Sequence, residues 1–102
     1  LMIGNSSAGL IETPYFALPA VNVGLRQEGR EHGYNVIHSD YSVSAIRTAI
    51  EKGLRDIEFL RSLAIGDRPF GDGTAWRKIL GVLKEVELGS NLLDKRFVDR
   101  RV

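Results

Sequence analysis

No cysteine occurs among the 102 residues. That absence excludes disulfides, thiolate nucleophiles and zinc–thiolate sites together, and it fits a reducing compartment, with the cytoplasm as the default expectation. An excess of charge of either sign is also missing. Fourteen Lys and Arg against 13 Asp and Glu leave a net charge of +1, too weak a field to recruit nucleic acid or an anionic membrane. Any anion must therefore be bound by local groups. No uncharged apolar run approaches the ~18 residues that cross a bilayer, and the first residues lack a basic-then-apolar pattern, so no membrane partner is expected.

What is present is ordinary for a folded domain: 43% apolar and 26% charged residues. A chain of this size fits one small domain, which would bury about two-thirds of its unfolded surface, and equally a piece of something larger. Leu1-Met2-Ile3-Gly4 reads as the end of a strand. Its sheet neighbours would have to come from elsewhere, so upstream sequence is expected. Gly4-Asn5-Ser6-Ser7 then turns into a helix predicted over Ala8 to Phe16, with Ser6 or Ser7 as N-cap and Pro14 limiting its length.

A second strand is predicted at Pro19 to Gly24, where Val21 and Val23 share one side. Leu25 to Tyr34, rich in charge and glycine, reads as a loop or short exposed helix, and Asn35 to His38 as a third strand. Beyond Ser42, another N-cap candidate, Val43, Ile46, Ile50 and Leu54 recur at helical spacing and mark an amphipathic helix covering a sheet. Ile57, Leu60 and Leu63 suggest a further short helix ending near Gly66. Thr74 can cap a last one whose stripe is Trp76, Ile79, Leu80, Leu83 and Val86, launched from Gly71-Asp72-Gly73. The segment from Gly89 onward is expected to be a partly helical or disordered tail. Strands alternating with helices point to a parallel α/β sheet.

Several residues could carry chemistry. The strand–Gly4-Asn5-Ser6-Ser7–helix element offers small residues and free backbone N–H groups at a helix amino terminus, where a phosphate would fit. It is neither a Walker loop nor the G-x-G-x-x-G pattern, and on this motif alone ordinary capping is the better explanation. Glu12 could accept hydrogen bonds from vicinal ribose hydroxyls, although most such glutamates are merely solvated. Arg26 follows the second strand, at the carboxyl end of the sheet where open α/β proteins bind ligands, and could hold phosphate oxygens. The competing explanation for Arg26, Arg30 and Glu31 is a surface ion-pair loop. His32 and His38 have no partner at a recognisable spacing and read as loop and strand-end filler. Asp67 and Asp72 among glycines hint at a calcium loop, but its alternating oxygen ligands are missing, so no metal is assigned. The sequon at Asn5-Ser6-Ser7 reads as chance in a cysteine-free chain.

Gly4-Asn5-Ser6-Ser7-Ala8-Gly9-Leu10-Ile11-Glu12, Pro19-Ala20-Val21-Asn22-Val23-Gly24-Leu25-Arg26-Gln27-Glu28-Gly29-Arg30 and Asn35-Val36-Ile37, in this order and spacing, resemble the hydrolysing UDP-N-acetylglucosamine 2-epimerases. Pro69-Phe70-Gly71-Asp72-Gly73-Thr74-Ala75 resembles that family's element before its last helix. The likeness covers Leu1 to about Val86. It implies a fragment of the C-terminal half of a glycosyltransferase-B fold: residues 1–88 as part of a Rossmann-like UDP-sugar-binding domain, 89–102 as a tail.

By the same resemblance, Ser6 and Ser7 would contact the diphosphate, Glu12 the ribose hydroxyls, and Arg26 would take both a UDP-binding and a catalytic role by neutralising the leaving group. The implied reaction is inversion at C2 of UDP-N-acetylglucosamine with loss of UDP, giving N-acetylmannosamine for sialic-acid-type sugars. The non-hydrolysing relatives carry Asp-Ser-Gly-Gly-like and Arg-Asp-Thr/Ser-Thr-Glu-Arg-Pro-like elements instead. The family's acid/base carboxylates lie before the matched region, so the segment alone is expected to be inactive. No cofactor is expected. The expected partners are UDP-N-acetylglucosamine, the N-terminal domain of the same fold and, as a candidate, further copies of the chain. Two alternatives stand beside this reading: another UDP-sugar glycosyltransferase of the same fold, and a non-catalytic remnant or interaction module.

Overall fold

In the computed structural model of the chain, residues 1–64, 66 and 69–90 are described. The chain divides into two units, residues 1–71 and 72–102. In the first, β1 (Met2–Gly4), β2 (Ala20–Val23) and β3 (Val36–Ser39) form a parallel sheet in the order β1-β2-β3. Ile3 stands beside Val21 and Val21 beside Ile37, while Met2, Ala20 and Val36 make the neighbouring row. Because side chains alternate along a strand, the two rows face opposite sides of the sheet.

Each face meets a helix. A Cβ placed on Gly9 of α1 (Ala8–Ile11) would lie 3.7 Å from Met2 Sδ and 3.8 Å from Ala20 Cβ, whereas one on Gly53 of α2 (Val43–Arg55) would lie 3.5 Å from Ile37 Cδ1. The expected parallel sheet with flanking helices, a Rossmann-like α/β arrangement, is thus what the chain adopts. Its core is Leu10, Ala20, Val21, Ala49 and Leu63.

Two helices differ from the expectation. The stretch from Ala8 to Phe16 is not one helix, because α1 ends at Ile11 and a 3-10 turn occupies Thr13–Phe16. Pro14 has no N–H to give the carbonyl of Leu10, so the regular ladder cannot continue past it. In α2 the buried positions are Ala49 and Gly53, and Val43 and Leu54 are exposed. The contact stripe is rotated onto small residues, which let the helix axis come close to the sheet. Ser42 does cap α2, its Oγ accepting from the Ala45 N–H at 3.2 Å. Asp56, in extended backbone, both ends α2 and caps α3 (Ile57–Leu63) through the Phe59 N–H at 2.9 Å. The short helix marked by Ile57, Leu60 and Leu63 is α3; of the three, Leu63 is buried and Ile57 and Leu60 are exposed.

A buried polar cluster joins these elements. The Thr13 hydroxyl donates to the Gly9 carbonyl at 2.6 Å, and the Asn35 side-chain amide donates to Thr13 Oγ1 at 2.6 Å and to the Leu18 carbonyl at 2.8 Å. Thr13 and Asn35 are both almost wholly buried. Groups in such positions stabilise when paired and cost about 1–3 kcal/mol when a partner is lost.

In the second unit α4 spans Ala75–Glu85. Thr74 precedes it but its side chain does not cap; the Thr74 N–H (2.9 Å) and hydroxyl both donate to Asp72 Oδ1. Trp76, Ile79, Leu80 and Leu83 are exposed, and Val86 stands past the last turn in extended backbone rather than in the stripe. Asp67 and residues 91–102 of the expected tail lie outside the described residues. No helix among the described residues is long and apolar enough to cross a membrane.

Gly33 tests the polar cluster directly. A Cβ there would lie 2.7 Å from Asn35 Oδ1 and 2.8 Å from Pro14 Cγ, groups held by the cluster and by a ring. Gly33→Ala is expected to lower unfolding free energy by about 1–3 kcal/mol, measured by urea denaturation, while Gly81→Ala, whose Cβ would meet nothing within 4 Å, does not destabilise.

Candidate functional site

Three parallel strands deliver their carboxyl ends, Gly4, Val23 and Ser39, to one edge of the sheet, where ligands of open α/β folds bind. The segments that follow β1 and β2 are stitched together by Gln27, whose Nε2 donates to the Asn5 carbonyl at 2.8 Å. This side chain is buried although it lies in a charged turn. The bond holds the chain one residue from Ser6 beside the chain one residue from Arg26. The turn itself starts at Gly24, with φ +79°, where Tyr41 packs against the backbone and its hydroxyl accepts the Leu25 N–H at 3.3 Å.

Ser6 and Ser7 both stand at the start of α1, as expected. Neither caps the helix in the ordinary way: Ser7 has no side-chain capping bond, and Ser6 Oγ accepts from the Ala8 N–H at 3.3 Å. With only four residues, α1 sums too few peptide dipoles to act as a strong anion site by itself. The expected dipole contribution therefore shrinks. Glu12 ends α1 with its side chain exposed. Arg26 and Arg30 are exposed, and neither they nor Glu31 form an ion pair; among the described residues the ion pair found is Arg47 with Glu51 at 3.1 Å. The surface ion-pair explanation of that loop does not match the structure.

A second feature lies on the β2–β3 side of the same edge, in a cleft of about 760 Å³ whose walls include Asn22, Arg30, Glu31, His32, His38 and Asp40. Ser6, Ser7, Glu12 and Arg26 are not among its lining residues. Inside it the two histidines meet, with His38 Nε2 3.1 Å from His32 Nε2. The absence of a histidine partner expected from spacing is thus corrected. The loop between β2 and β3 folds His32 back over His38, and register places Asn22 beside His38, neither of which residue spacing reveals.

For two neutral imidazoles and this orientation of the Asn22 amide, the partners assign the protons. The Asn22 amide N–H donates to His38 Nδ1 at 3.2 Å, which leaves the His38 proton on Nε2 to donate to His32 Nε2, and His32 Nδ1–H in turn donates to the Gly33 carbonyl at 3.1 Å. Partial burial, and then the neighbouring His32, push the His38 pKa below its ordinary value. Asp40, at the mouth, is held below the usual carboxylate range by hydrogen bonds from Ser42, whose N–H lies 2.7 Å from Oδ1. Two buried acceptors in the cleft walls, Asn22 Oδ1 and Gln27 Oε1, have no partner.

The family model of UDP-N-acetylglucosamine 2-epimerase matches residues 1–84. The chain belongs to the UDP-N-acetylglucosamine 2-epimerase family. It is 34% identical over 101 residues to the UDP-N-acetylglucosamine 2-epimerase of Neisseria meningitidis serogroup B, an alignment covering 96% of this chain and 26% of that protein. It is 38% identical over 95 residues to the hydrolysing UDP-N,N'-diacetylbacillosamine 2-epimerase of Legionella pneumophila, covering 93% of this chain and 24% of that one. With the hydrolysing GDP/UDP-N,N'-diacetylbacillosamine 2-epimerase of Campylobacter jejuni the identity is 39% over 99 residues, covering 96% and 25%. The chain spans about a quarter of the length of these curated relatives.

In this epimerase-family segment the β1–β2 stitch depends on one side chain. Gln27→Ala removes the donor to Asn5 and leaves a void, and is expected to cost about 1–3 kcal/mol. Amide hydrogen exchange should then quicken across residues 5–8 and 24–29 and stay unchanged in α2; uniform protection across both segments would show that the stitch is not needed.

Proposed function

We propose that the chain is the UDP-holding segment of a hydrolysing UDP-N-acetylglucosamine 2-epimerase, which converts UDP-N-acetylglucosamine and water to N-acetylmannosamine and UDP. The observation that carries the reading is the Gln27–Asn5 bond, which sets the serine-bearing turn after β1 beside the arginine-bearing turn after β2. Ser6 and Ser7 offer hydroxyl and backbone donors to the diphosphate, the exposed Arg26 guanidinium takes a pair of its oxygens, and Glu12 accepts from the ribose hydroxyls. Family membership supports the assignment, and Asn5-Ser6-Ser7 with Gly24-Leu25-Arg26-Gln27-Glu28-Gly29-Arg30 supports the hydrolysing branch.

Cleavage of the sugar C1–O bond leaves the electron pair on UDP. Donors already in place around the phosphates stabilise that growing charge more than they stabilise the bound substrate, and this lowers the barrier. Arg26 is the catalytic residue of the segment in this sense. In this reading Glu12 is engaged by the ribose hydroxyls and Ser6, Ser7 and Arg26 by the diphosphate, which leaves the C2 proton to groups outside the segment; the segment by itself then binds without turnover, and the sugar sits against an N-terminal domain of the same fold. A second reading has a specific motive. Two of the three relatives above act, by name, on N,N'-diacetylbacillosamine nucleotides. The nucleotide site described here suits either sugar, so competition between the two UDP-sugars decides.

Glu12→Gln and Arg26→Ala, in the complete protein, are expected to weaken UDP binding by roughly tenfold or more, the loss of one charge-assisted contact. Both side chains are exposed, so thermal stability should stay within about 0.5 kcal/mol of the parent. Unchanged UDP affinity with lost stability would sink the assignment.

A further inference from the structure

We propose that His32 and His38 form a two-imidazole site for a divalent first-row transition ion of the zinc or nickel type, in the cleft between the ends of β2 and β3. The first argument is distance. Two imidazole nitrogens bound to one ion at about 2.0–2.1 Å, at angles between square and tetrahedral, stand roughly 2.9–3.4 Å apart. The two Nε2 atoms are 3.1 Å apart. The rings are inclined at 70° with centroids 4.7 Å apart, not aligned head to head, an arrangement in which one ion reaches both nitrogens.

The second argument is the outer nitrogens. A metal-ligating imidazole almost always gives its other N–H to a carbonyl or carboxylate, which fixes the tautomer and orients the ring. His32 Nδ1 already has the Gly33 carbonyl at 3.1 Å. His38 Nδ1 faces the Asn22 amide at 3.2 Å, and the oxygen of that amide is buried without a partner. A half-turn of the amide brings the oxygen to Nδ1. The His38 proton then moves from Nε2 to Nδ1, both Nε2 lone pairs become free, and two neutral imidazoles bind the ion with no net loss of protons.

The third is surroundings. Among the described residues no third His, Cys, Asp or Glu joins the pair, so water fills the other positions, and the cleft has room for it. Nitrogen ligands with open positions favour zinc, nickel, cobalt or copper over magnesium and calcium, which want oxygen. The pair is set apart from the proposed UDP contacts, because neither the serines nor Glu12 nor Arg26 line the cleft, although Gln27, which aligns the turn bearing Arg26, does.

The test is titration calorimetry of Zn²⁺ into the untagged, metal-free chain at neutral pH, with Mg²⁺ as control. One Zn²⁺ per chain and no saturable Mg²⁺ heat are expected. His32→Ala, in an exposed loop position, should keep the circular dichroism of the parent and weaken Zn²⁺ binding roughly tenfold or more. Nitrogen-15 spectra of the parent should show the His38 proton passing from Nε2 to Nδ1 on Zn²⁺ addition. Absence of saturable Zn²⁺ binding to the folded chain, equal binding by His32→Ala, or an unchanged His38 tautomer at saturating Zn²⁺ would each overturn the proposal.

Discussion

The side chain of Asn35 makes the bonds on which the geometry of this sheet rests. Its amide reaches the Thr13 hydroxyl and the Leu18 carbonyl, while its backbone carbonyl takes the Ala20 N–H at 2.9 Å. One residue thereby ties the 3-10 turn after α1, the entry to β2 and the entry to β3. The register follows from it: Ala20 pairs with Val36, so Asn22 falls beside His38 and the ends of β2 and β3 finish level. Both features at the carboxyl edge, the Gln27 stitch and the histidine pair, stand on strands aligned by that buried amide. Asn35 Oδ1 is buried without a partner while the amide N–H groups are paired; a shifted register would leave those N–H groups unpaired as well, so the cluster favours one register.

Much of this fold is legible in the sequence because its signals are local. Short β-branched runs at Val21 and Val36, turn residues after each, and Ser42 before an apolar periodicity mark parallel strands alternating with helices. Length and stripe are less legible. Pro14 splits a helix that periodicity alone would carry to Phe16, and α2 turns Ala49 and Gly53 inward because close approach to the sheet outweighs the larger apolar area of Val43 and Leu54. Thr74 is a capping residue by type, yet its hydroxyl donates to the Asp72 carboxylate instead.

The proposed site is legible in a different way. Ser6, Ser7, Glu12 and Arg26 carry only a weak signal as isolated residues; their order with the flanking blocks is what points to the family, and family membership holds for residues 1–84. Register and loop path are not encoded in residue spacing, so the meeting of His32 with His38 and the burial of Gln27 emerge only once β2 and β3 are paired. A one-turn helix also changes the physics of anion recognition. In the proposed UDP site, side chains and turn N–H groups rather than a macrodipole would do the binding, and this places more weight on Arg26.

The most direct measurement is calorimetric titration of the folded chain with UDP, using uridine as the control. The account predicts saturable heat with UDP and none with uridine at the same concentrations, because the diphosphate is held by groups of this segment. A folded sample that binds neither, or binds both equally, would contradict the claim that the turns after β1 and β2 hold the diphosphate.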